Sequence, residues 1–212
     1  MAIKSKGVRQ MFERIKATHE SLCRRSSVYG VGVNDSDYQT QPTINGKKFM
    51  CPIYQKWVDM LQRCYSTKFQ EKHPSYIGCT VCKEWLLFSK FKAWMESQDW
   101  EGKELDKDIL INGNKEYSPI ACIFVSHRIN SLLANNKTRR GAFPIGVNFD
   151  SRCGKYMARL NINCKLTHVG CFDTPKLALD AYIKAKYKVI KEVALSQSEP
   201  LKSALLNYII KD

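Results

Sequence analysis

Acidic and amide side chains crowd into one stretch of this chain, LDKDILINGNKEYSPIACIFVSHRINSLLAN, between Leu105 and Asn135. The stretch holds two aspartates, several asparagines and a single histidine, His127, around a short apolar run. Few segments of ordinary core combine these residue types, whereas oxygen-rich side chains are typical ligands of hard metal ions. The composition therefore points to a metal or phosphate site rather than to packing alone.

The residue pattern of this stretch predicts the elements that would position such a site. Apolar and acidic residues alternate from Leu105 to Leu110, as in a half-buried strand. Asn112-Gly113-Asn114 predicts a turn, because glycine and asparagine tolerate positive φ. A second break at Pro119 precedes a strand-like run from Cys122 to Val125. Ser126 can then cap a helix, so the predicted order is strand, turn, strand, helix.

This order, with these residues, resembles the ββα-metal finger of HNH endonucleases, in particular the phage type. The shared residues are Leu-Asp-Lys-Asp at 105–108, Gly113-Asn114, Tyr117-Ser118-Pro119 with Cys122, and Asn130. The helix-like sequence YQKWVDMLQRCY, residues 54–65, belongs to the same resemblance.

The resemblance implies one divalent metal ion, Mg²⁺, at this finger. Its ligands would be Asp106 at the end of a strand and Asn130 on the helix. Asp108 and Asn114 would orient these two ligands. The implied chemistry is hydrolysis of a phosphodiester bond, in which the metal ion stabilises the leaving oxygen and a base activates water.

The general base is where this chain departs from the family. HNH endonucleases carry a histidine beside the acidic ligand, and Lys107 occupies that position here. A lysine is protonated at neutral pH, so it can hold a phosphate but does not readily take a proton from water. His127 is the alternative base, and a surface or helix-capping role is the competing interpretation of that histidine.

Positive charge is concentrated toward the two ends of a chain whose formal net charge is +14. Residues 1–28 carry seven Lys and Arg against two Glu, and residues 139–191 carry eleven against three Asp. Residues 29–138 are nearly balanced, with fourteen against twelve. A merely solubilising surface would spread its charge evenly, so we expect a polyanionic partner, with double-stranded DNA preferred over RNA or an acidic protein.

The segment from Phe143 to Glu192 alternates in three short runs and then becomes helical. The runs are Ile145–Phe149, Tyr156–Ile162 and Leu166–Phe172, with turns between them. Thr174-Pro175 then provides a cap followed by a proline in the first helical turn. We predict three antiparallel strands backed by one helix, and for the whole chain an α+β fold.

This segment resembles the Apetala-two or ERF-type DNA-binding domain, which also follows HNH domains in phage endonucleases. The resemblance rests on Gly146-Val147, Lys155-Tyr156-x-Ala158-Arg159, Gly170-x-Phe172-x-Thr174 and Ala178-x-x-Ala181-Tyr182. In that family the sheet enters the major groove of DNA, where outward side chains meet bases and phosphates. By alternation the candidates are Arg152, Lys155, Arg159, Asn161 and Asn163. Two arginines of the preceding basic stretch, Arg139 and Arg140, are further candidates for contacts with the DNA backbone.

Amphipathic helices are predicted for three further segments. Gly7–Arg25 predicts a basic helix and Pro52–Tyr65 a helix with one buried face. Lys83–Gln98 carries aromatic residues at three- and four-residue steps. Such rings can stack on bases, but a stripe at helical spacing is more often core, and we assign it to the core.

The remaining features restrict the class of protein. No apolar run approaches the ~20 residues of a membrane span, and the first residues lack the apolar core of a secretion signal. We therefore expect no membrane association and a cytoplasmic location, in the host cell if the gene belongs to a phage. The nine cysteines are then expected as reduced thiols. Cys79-x-x-Cys82 is half of a zinc site without a second half, so zinc is not expected.

The predicted organisation has four parts: a basic helix and loop at 1–49, an HNH-like domain at 50–136, an ERF-type domain at 141–195 and a helical tail at 196–212. Two functions remain open. One is double-stranded DNA binding of the homing-endonuclease type, with Mg²⁺-dependent cleavage. The other is a DNA-binding regulator or architectural protein that uses the same fold without cutting.

Overall fold

The structure is a computed structural model that describes residues 12–134, 143–162 and 165–210. The chain divides into two compact units. The first comprises Met1–Asp108 and Gly113–Phe124, and the second comprises Ile109–Asn112 and Val125–Asp212. Both contain helices and strands, so the predicted α+β class is confirmed. The boundary predicted between residues 136 and 141 lies outside the described residues.

Helices of five to fourteen residues and strands of two or three residues make up the first unit. Its helices are α1 (His19–Cys23), α2 (Pro52–Tyr65), α3 (Thr67–Lys72) and α4 (Phe88–Glu96), with 3₁₀ turns at Pro74–Tyr76 and Lys83–Leu86. Its strands are β1 (Thr43–Ile44), β2 (Lys47–Lys48), β3 (Thr80–Val81), β4 (Glu104–Asp106), β5 (Glu116–Tyr117) and β6 (Ile123–Val125), whose last residue belongs to the second unit.

Helix α2 forms the centre of the first core. Trp57, Met60 and Leu61 are fully buried, as their spacing predicted. The Trp57 indole N–H donates to the carbonyl oxygen of Trp85 at 2.7 Å. A Cβ on Gly32 would lie 2.4 Å from Leu61 Cδ1, so only glycine lets this loop approach α2 so closely.

Two predicted helices are interrupted by backbone pairing to distant residues. The prediction of one helix from Gly7 to Arg25 is wrong in its described part: residues 12–14 are helical, and a new helix, α1, starts after Thr18. Between them, residues 15–17 hydrogen-bond to the backbone of residues 37–39. The helix predicted over Lys83–Gln98 is likewise broken at Leu87, where the backbone of Val33 pairs on both sides of the break.

The stretch that begins at Leu105, described here to residue 134, is called the finger segment below. It contains the predicted strand, turn, strand and helix, but its first strand is shorter than predicted and one of its strands pairs outside the segment. β4 ends at Asp106 rather than at Leu110, and it pairs with β6. β5 lies between them in sequence but pairs in parallel with β3, with Val81 opposite Tyr117. The sequence did not predict this parallel pair.

The second unit contains the predicted sheet and helix. Strands β7 (Val147–Asp150), β8 (Lys155–Ile162) and β9 (Lys165–Phe172) form an antiparallel sheet in that order. The helices are α5 (His127–Leu133), α6 (Pro175–Leu195) and α7 (Leu201–Leu206). The predicted three-stranded sheet followed by one helix is confirmed.

One face of this sheet is covered by α6. Val147, Ala158 and Leu160 from the strands pack with Ala178 and Tyr182 from the helix. One lysine of α6 departs from the solvent-facing position that its sequence suggested. Lys186 is only 2% exposed, and its ammonium group lies 5.7 Å from the centre of the Tyr182 ring. The neighbouring lysines of α6, at 184, 188 and 191, are exposed.

Candidate functional site

The end of β4 forms a compact turn of charged residues. The Asp106 Oδ1 oxygen accepts the backbone N–H of Asp108 at 2.8 Å, which closes the chain just after the strand. Asp106 is half-buried and Asp108 is exposed. Asp106 is therefore the last residue of β4, and Asp108 lies in the turn that follows it.

Asn114 connects this turn to the start of β5. Its side-chain amide donates to the Lys107 carbonyl oxygen at 2.7 Å and to the Glu116 carbonyl oxygen at 2.6 Å. Its Oδ1 accepts the Glu116 N–H at 3.2 Å. Asn114 thus holds the backbone beside Asp106 in place, and its expected role in orienting metal ligands stays a prediction.

Lys107 is buried, with 6% of its surface exposed. Its ammonium group donates to Asp108 Oδ2 at 2.9 Å and lies 5.9 Å from the centre of the Tyr117 ring. Burial alone lowers the pKa of Lys107, but the hydrogen bond to Asp108 and the negative charge of Asp108 outweigh it, so the pKa is raised. Lys107 is therefore a firmly protonated cation and cannot act as a general base at neutral pH.

The two other residues predicted for the finger lie on α5, in the second unit. Ser126 caps this helix as predicted, by accepting the Ile129 N–H at 3.4 Å. His127 is the first helical residue and is exposed, whereas Asn130 is half-buried one turn later. Both side chains are thus presented by a short, properly capped helix.

The donor set at the end of β4 suits a divalent ion in type but not in charge. Asp106 and Asn114 supply oxygens, yet Lys107 already places a positive charge against Asp108. Among the residues that the structure describes, no group of three or more His, Cys, Asp or Glu side chains is arranged to hold a metal ion. The predicted ligand pair of Asp106 and Asn130 is not a group of this kind, because one member is an asparagine, so the Mg²⁺ site stays a prediction.

The sheet of the second unit presents the other predicted residues. The sheet has a second face, which points away from α6, and the strand register identifies its residues. Met157 on β8 pairs with Asn148 on β7 and with Cys171 on β9. The register also sets Arg159 opposite His168. Except for Met157 and the half-buried Arg159, these side chains are exposed. We call this side of the sheet, formed by residues 148, 155, 157, 159, 161, 166, 168 and 171, the outer face.

Arg152 and Lys155 form ion pairs at one end of the outer face. Arg152 makes two hydrogen bonds to the Asp150 carboxylate, at 3.1 and 3.0 Å, which lower the pKa of Asp150. Lys155 Nζ lies 3.1 Å from Asp173 Oδ1. The side chain of Arg152 is 85% exposed. Both partners of the Lys155–Asp173 pair are exposed, and such a pair is worth only about 0–1 kcal/mol, so a phosphate can replace the Asp173 carboxylate.

Arg159 and Asn161 lie on the central strand. Arg159 Nε donates to the Met157 sulfur at 2.8 Å, so its side chain lies along β8 with the two terminal nitrogens left over as donors. Asn161 is exposed. Asn148 and His168 join these residues on the outer face, and the sequence prediction missed both. Asn148 could have been found by alternation, but His168 could not, because a register shift in β9 changes the alternation there.

Three predicted residues, Arg139, Arg140 and Asn163, lie outside the described residues. Within the described part of the chain, no helix combines the length and the apolar character needed to cross a membrane. No family model matches the chain, and neither the curated proteins nor the solved structures contain a match to it.

Proposed function

We propose that this protein binds double-stranded DNA through the outer face of its three-stranded sheet. The observation that carries the proposal is the set of exposed polar side chains on that face, opposite the helix that covers the other. The net charge of +14 supports the same partner class. We place the activity in the cytoplasm, where DNA is accessible to a protein of this kind.

The dimensions of the outer face support insertion into the major groove. Three strands about 4.8 Å apart give a surface about 10 Å wide before side chains are added. The major groove of B-DNA is about 12 Å wide and admits such a ribbon. Strand β8 would then lie along the middle of the groove, with β7 and β9 beside it.

Two kinds of side chain on this surface have different roles, base recognition and phosphate contact. Asn148, Asn161 and Arg159 carry groups that pair with adenine or guanine edges and so carry sequence information. Arg152 and Lys155, near one end, suit phosphates, which position the protein without specifying sequence. The expected complex is sequence-specific, with an affinity that depends on salt concentration.

The test compares two variants in a selection from random double-stranded DNA, followed by titration of the selected site. Arg159→Ala is expected to lose about 1–3 kcal/mol of discrimination against mismatched sites. Lys184→Ala, an exposed lysine on α6, serves as the control. Equal behaviour of the two variants, or binding that barely changes between low and moderate salt, would overturn the proposal.

Metal-dependent cleavage is the second candidate function. The pairing of β4 with β6, directly followed by α5, favours it, because this is the frame implied by the resemblance to HNH fingers. The protonated Lys107 at the base position favours DNA binding without cutting. Asp106 and Asn130 would be the residues to hold Mg²⁺, with His127 as the remaining candidate base.

Incubation with DNA and Mg²⁺ or Mn²⁺ separates the two candidates. Cutting that is lost in Asp106→Ala but kept in Asp99→Ala, an exposed aspartate paired with Lys103, would establish cleavage. Tight binding without cutting in either metal ion would leave the regulator or architectural function.

A further inference from the structure

Cys171 and His168 approach each other on strand β9. The Cys171 sulfur and His168 Nε2 are 3.9 Å apart, and both side chains are exposed. Thiolate and imidazole are strong ligands for soft and borderline metal ions. Neither residue has a part in the core of the second unit.

A β-bulge brings these two residues to the same face. In a regular strand, residues three apart point to opposite faces. Here the register shifts between Ala158 and Arg159, so that Gly170 pairs with Ala158 while His168 pairs with Arg159. Val169 is the extra residue of the bulge, and it changes the alternation by one position. The outer face consequently receives both the thiol and the imidazole.

A third soft ligand lies directly across the sheet. Met157 on β8 is the register partner of Cys171, and side chains of opposite residues on one face are about 5 Å apart. The Met157 sulfur already accepts the Nε–H of Arg159, which leaves its second lone pair available. Zn²⁺ sites in proteins are built from Cys, His, Asp and Glu, whereas a thioether is a soft ligand that suits Cu(I).

The distance within the pair fits one bridging ion. With metal bonds of about 2.3 Å to sulfur and 2.0–2.1 Å to nitrogen, a separation of 3.9 Å corresponds to an S–metal–N angle of about 125°. A tetrahedral angle with the same bond lengths corresponds to about 3.6 Å, so a small rotation of either exposed side chain reaches trigonal or tetrahedral geometry.

We propose that Cys171, His168 and Met157 form a Cu(I)-binding site on the outer face of the sheet. On binding, the Cys171 S–H bond is replaced by an S–Cu bond and the proton is released to water; no electron is transferred. The copper ion and the thiolate together are neutral, so the neighbouring Arg159 guanidinium is not repelled. The site also predicts that copper and DNA compete for the same surface, and this consequence rests on the proposed function.

Copper uptake is measured first, without DNA, by transfer of Cu(I) from its bicinchoninate complex to the full-length protein. Cys23→Ser is the background for all variants, because Cys23 and His19 form a second close pair on α1. In this background, Cys171→Ser is expected to lower the affinity of the site by more than about 100-fold. Cys153→Ser, another exposed cysteine, is expected to change nothing.

X-ray absorption at the copper edge then identifies the ligands. We expect two sulfur ligands and one nitrogen ligand in the parent protein, and one sulfur ligand in Met157→Leu. Unchanged copper uptake in Cys171→Ser would overturn the site. A parent spectrum that shows no nitrogen ligand and equals the spectrum of His168→Ala would also overturn it. Tighter uptake of Zn²⁺ than of Cu(I) would overturn the choice of metal.

DNA titration with and without Cu(I) tests the competition separately. If Cu(I) weakens DNA binding by the parent protein but not by Cys171→Ser, the competition is supported. If the parent binds DNA equally well with and without Cu(I), the competition is overturned. A protein that takes up copper through these ligands but binds no DNA would contradict the proposed function alone. DNA binding without copper uptake would contradict the copper site alone.

Discussion

At the scale of single residues, Lys107 shows how one side chain limits the chemistry of the finger segment. Its burial would favour the neutral amine, but its ammonium group donates a hydrogen bond to the carboxylate of the adjacent Asp108 at 2.9 Å. The ion pair therefore keeps the lysine charged, and a charged lysine is a ligand for phosphate rather than a base. Its position relative to Asp106 could be inferred from the sequence, whereas its burial could not.

Gly146, before β7, gives the sharpest prediction for stability at this scale. Its φ is +71°, and a Cβ there would lie 2.2 Å from the Tyr182 ring. Gly154 has a similar φ of +67° but open space around it. Strain at positive φ costs about 1–2 kcal/mol. We expect Gly154→Ala to lose about this much free energy of unfolding, and Gly146→Ala clearly more, in urea titrations. Equal losses would contradict the contact with Tyr182.

The buried thiols Cys64 and Cys122 predict a pH dependence. Burial raises the pKa of each to about 12, from 9.0 for a free thiol. The folded chain thus keeps protons that the unfolded chain loses. Their contribution to stability is fully present below pH 9.0 and is lost as the pH rises toward 12.

Urea unfolding at pH values of about 8 and about 10.5 measures this effect. The free energy of unfolding is expected to fall by about 1.4 kcal/mol per pH unit for each thiol above pH 9.0. Cys122→Ala should reduce this slope, whatever its effect at neutral pH. Cys153→Ala, at an exposed position, should leave the slope unchanged. A slope that is the same in all three proteins would refute the assignment.

At the scale of elements, local signals predicted the second unit well and the first unit less well. Alternation, the Asp150–Gly154 turn and the Thr174 cap are all encoded within a few residues, and β7, β8 and α6 follow from them. In the first unit, residues 15–17 and Val33 make backbone hydrogen bonds to distant partners, which break two predicted helices. A periodicity that concerns neighbouring residues contains no information about such partners.

The same limit applies to the candidate sites. Lysine and aspartate at the end of β4 were recognised by type, and Arg152, Lys155 and Arg159 by alternation. The Cys171–His168 pair was not, because it depends on the bulge at Val169, and strict alternation places the two residues on opposite faces. A glycine within a strand, such as Gly170, is the signal in the sequence that could have indicated a bulge.

Helix α6 depends on its N-terminal cap, which gives a prediction for this element. The Thr174 hydroxyl oxygen accepts the Leu177 N–H at 3.2 Å. Thr174→Ala is expected to lower the free energy of unfolding by about 1 kcal/mol, because that N–H loses its partner. Thr174→Ser keeps the hydroxyl and should retain most of the stability. If serine and alanine destabilise equally, the threonine acts through its methyl group and not as a cap.

At the scale of the whole molecule, the exposed ion pairs bear on the DNA binding that we propose. Exposed ion pairs such as Lys155 with Asp173 keep cations on the sheet partly neutralised in the free protein. Such pairs are weak and are easily exchanged for phosphate. In the proposed complex, the cost of releasing each cation would therefore be small compared with the gain from displacing counterions from DNA.

The salt dependence of DNA binding tests this view. Lys155→Ala is expected to reduce the slope of log K against log salt concentration by about 1, and to weaken binding equally for all sequences. Lys188→Ala, on the exposed side of α6, should leave the slope unchanged. A loss of sequence preference in Lys155→Ala would instead mean that this lysine contacts a base.

The division of the finger segment between the two units limits how genes can exchange them. Residues 109–112 belong to the second unit, residues 113–124 to the first, and the chain returns to the second at Val125. Any single recombination breakpoint therefore separates at least one unit from a part of itself. A breakpoint after Asp108, for example, would remove Tyr117, a fully buried residue of the first core, from its unit.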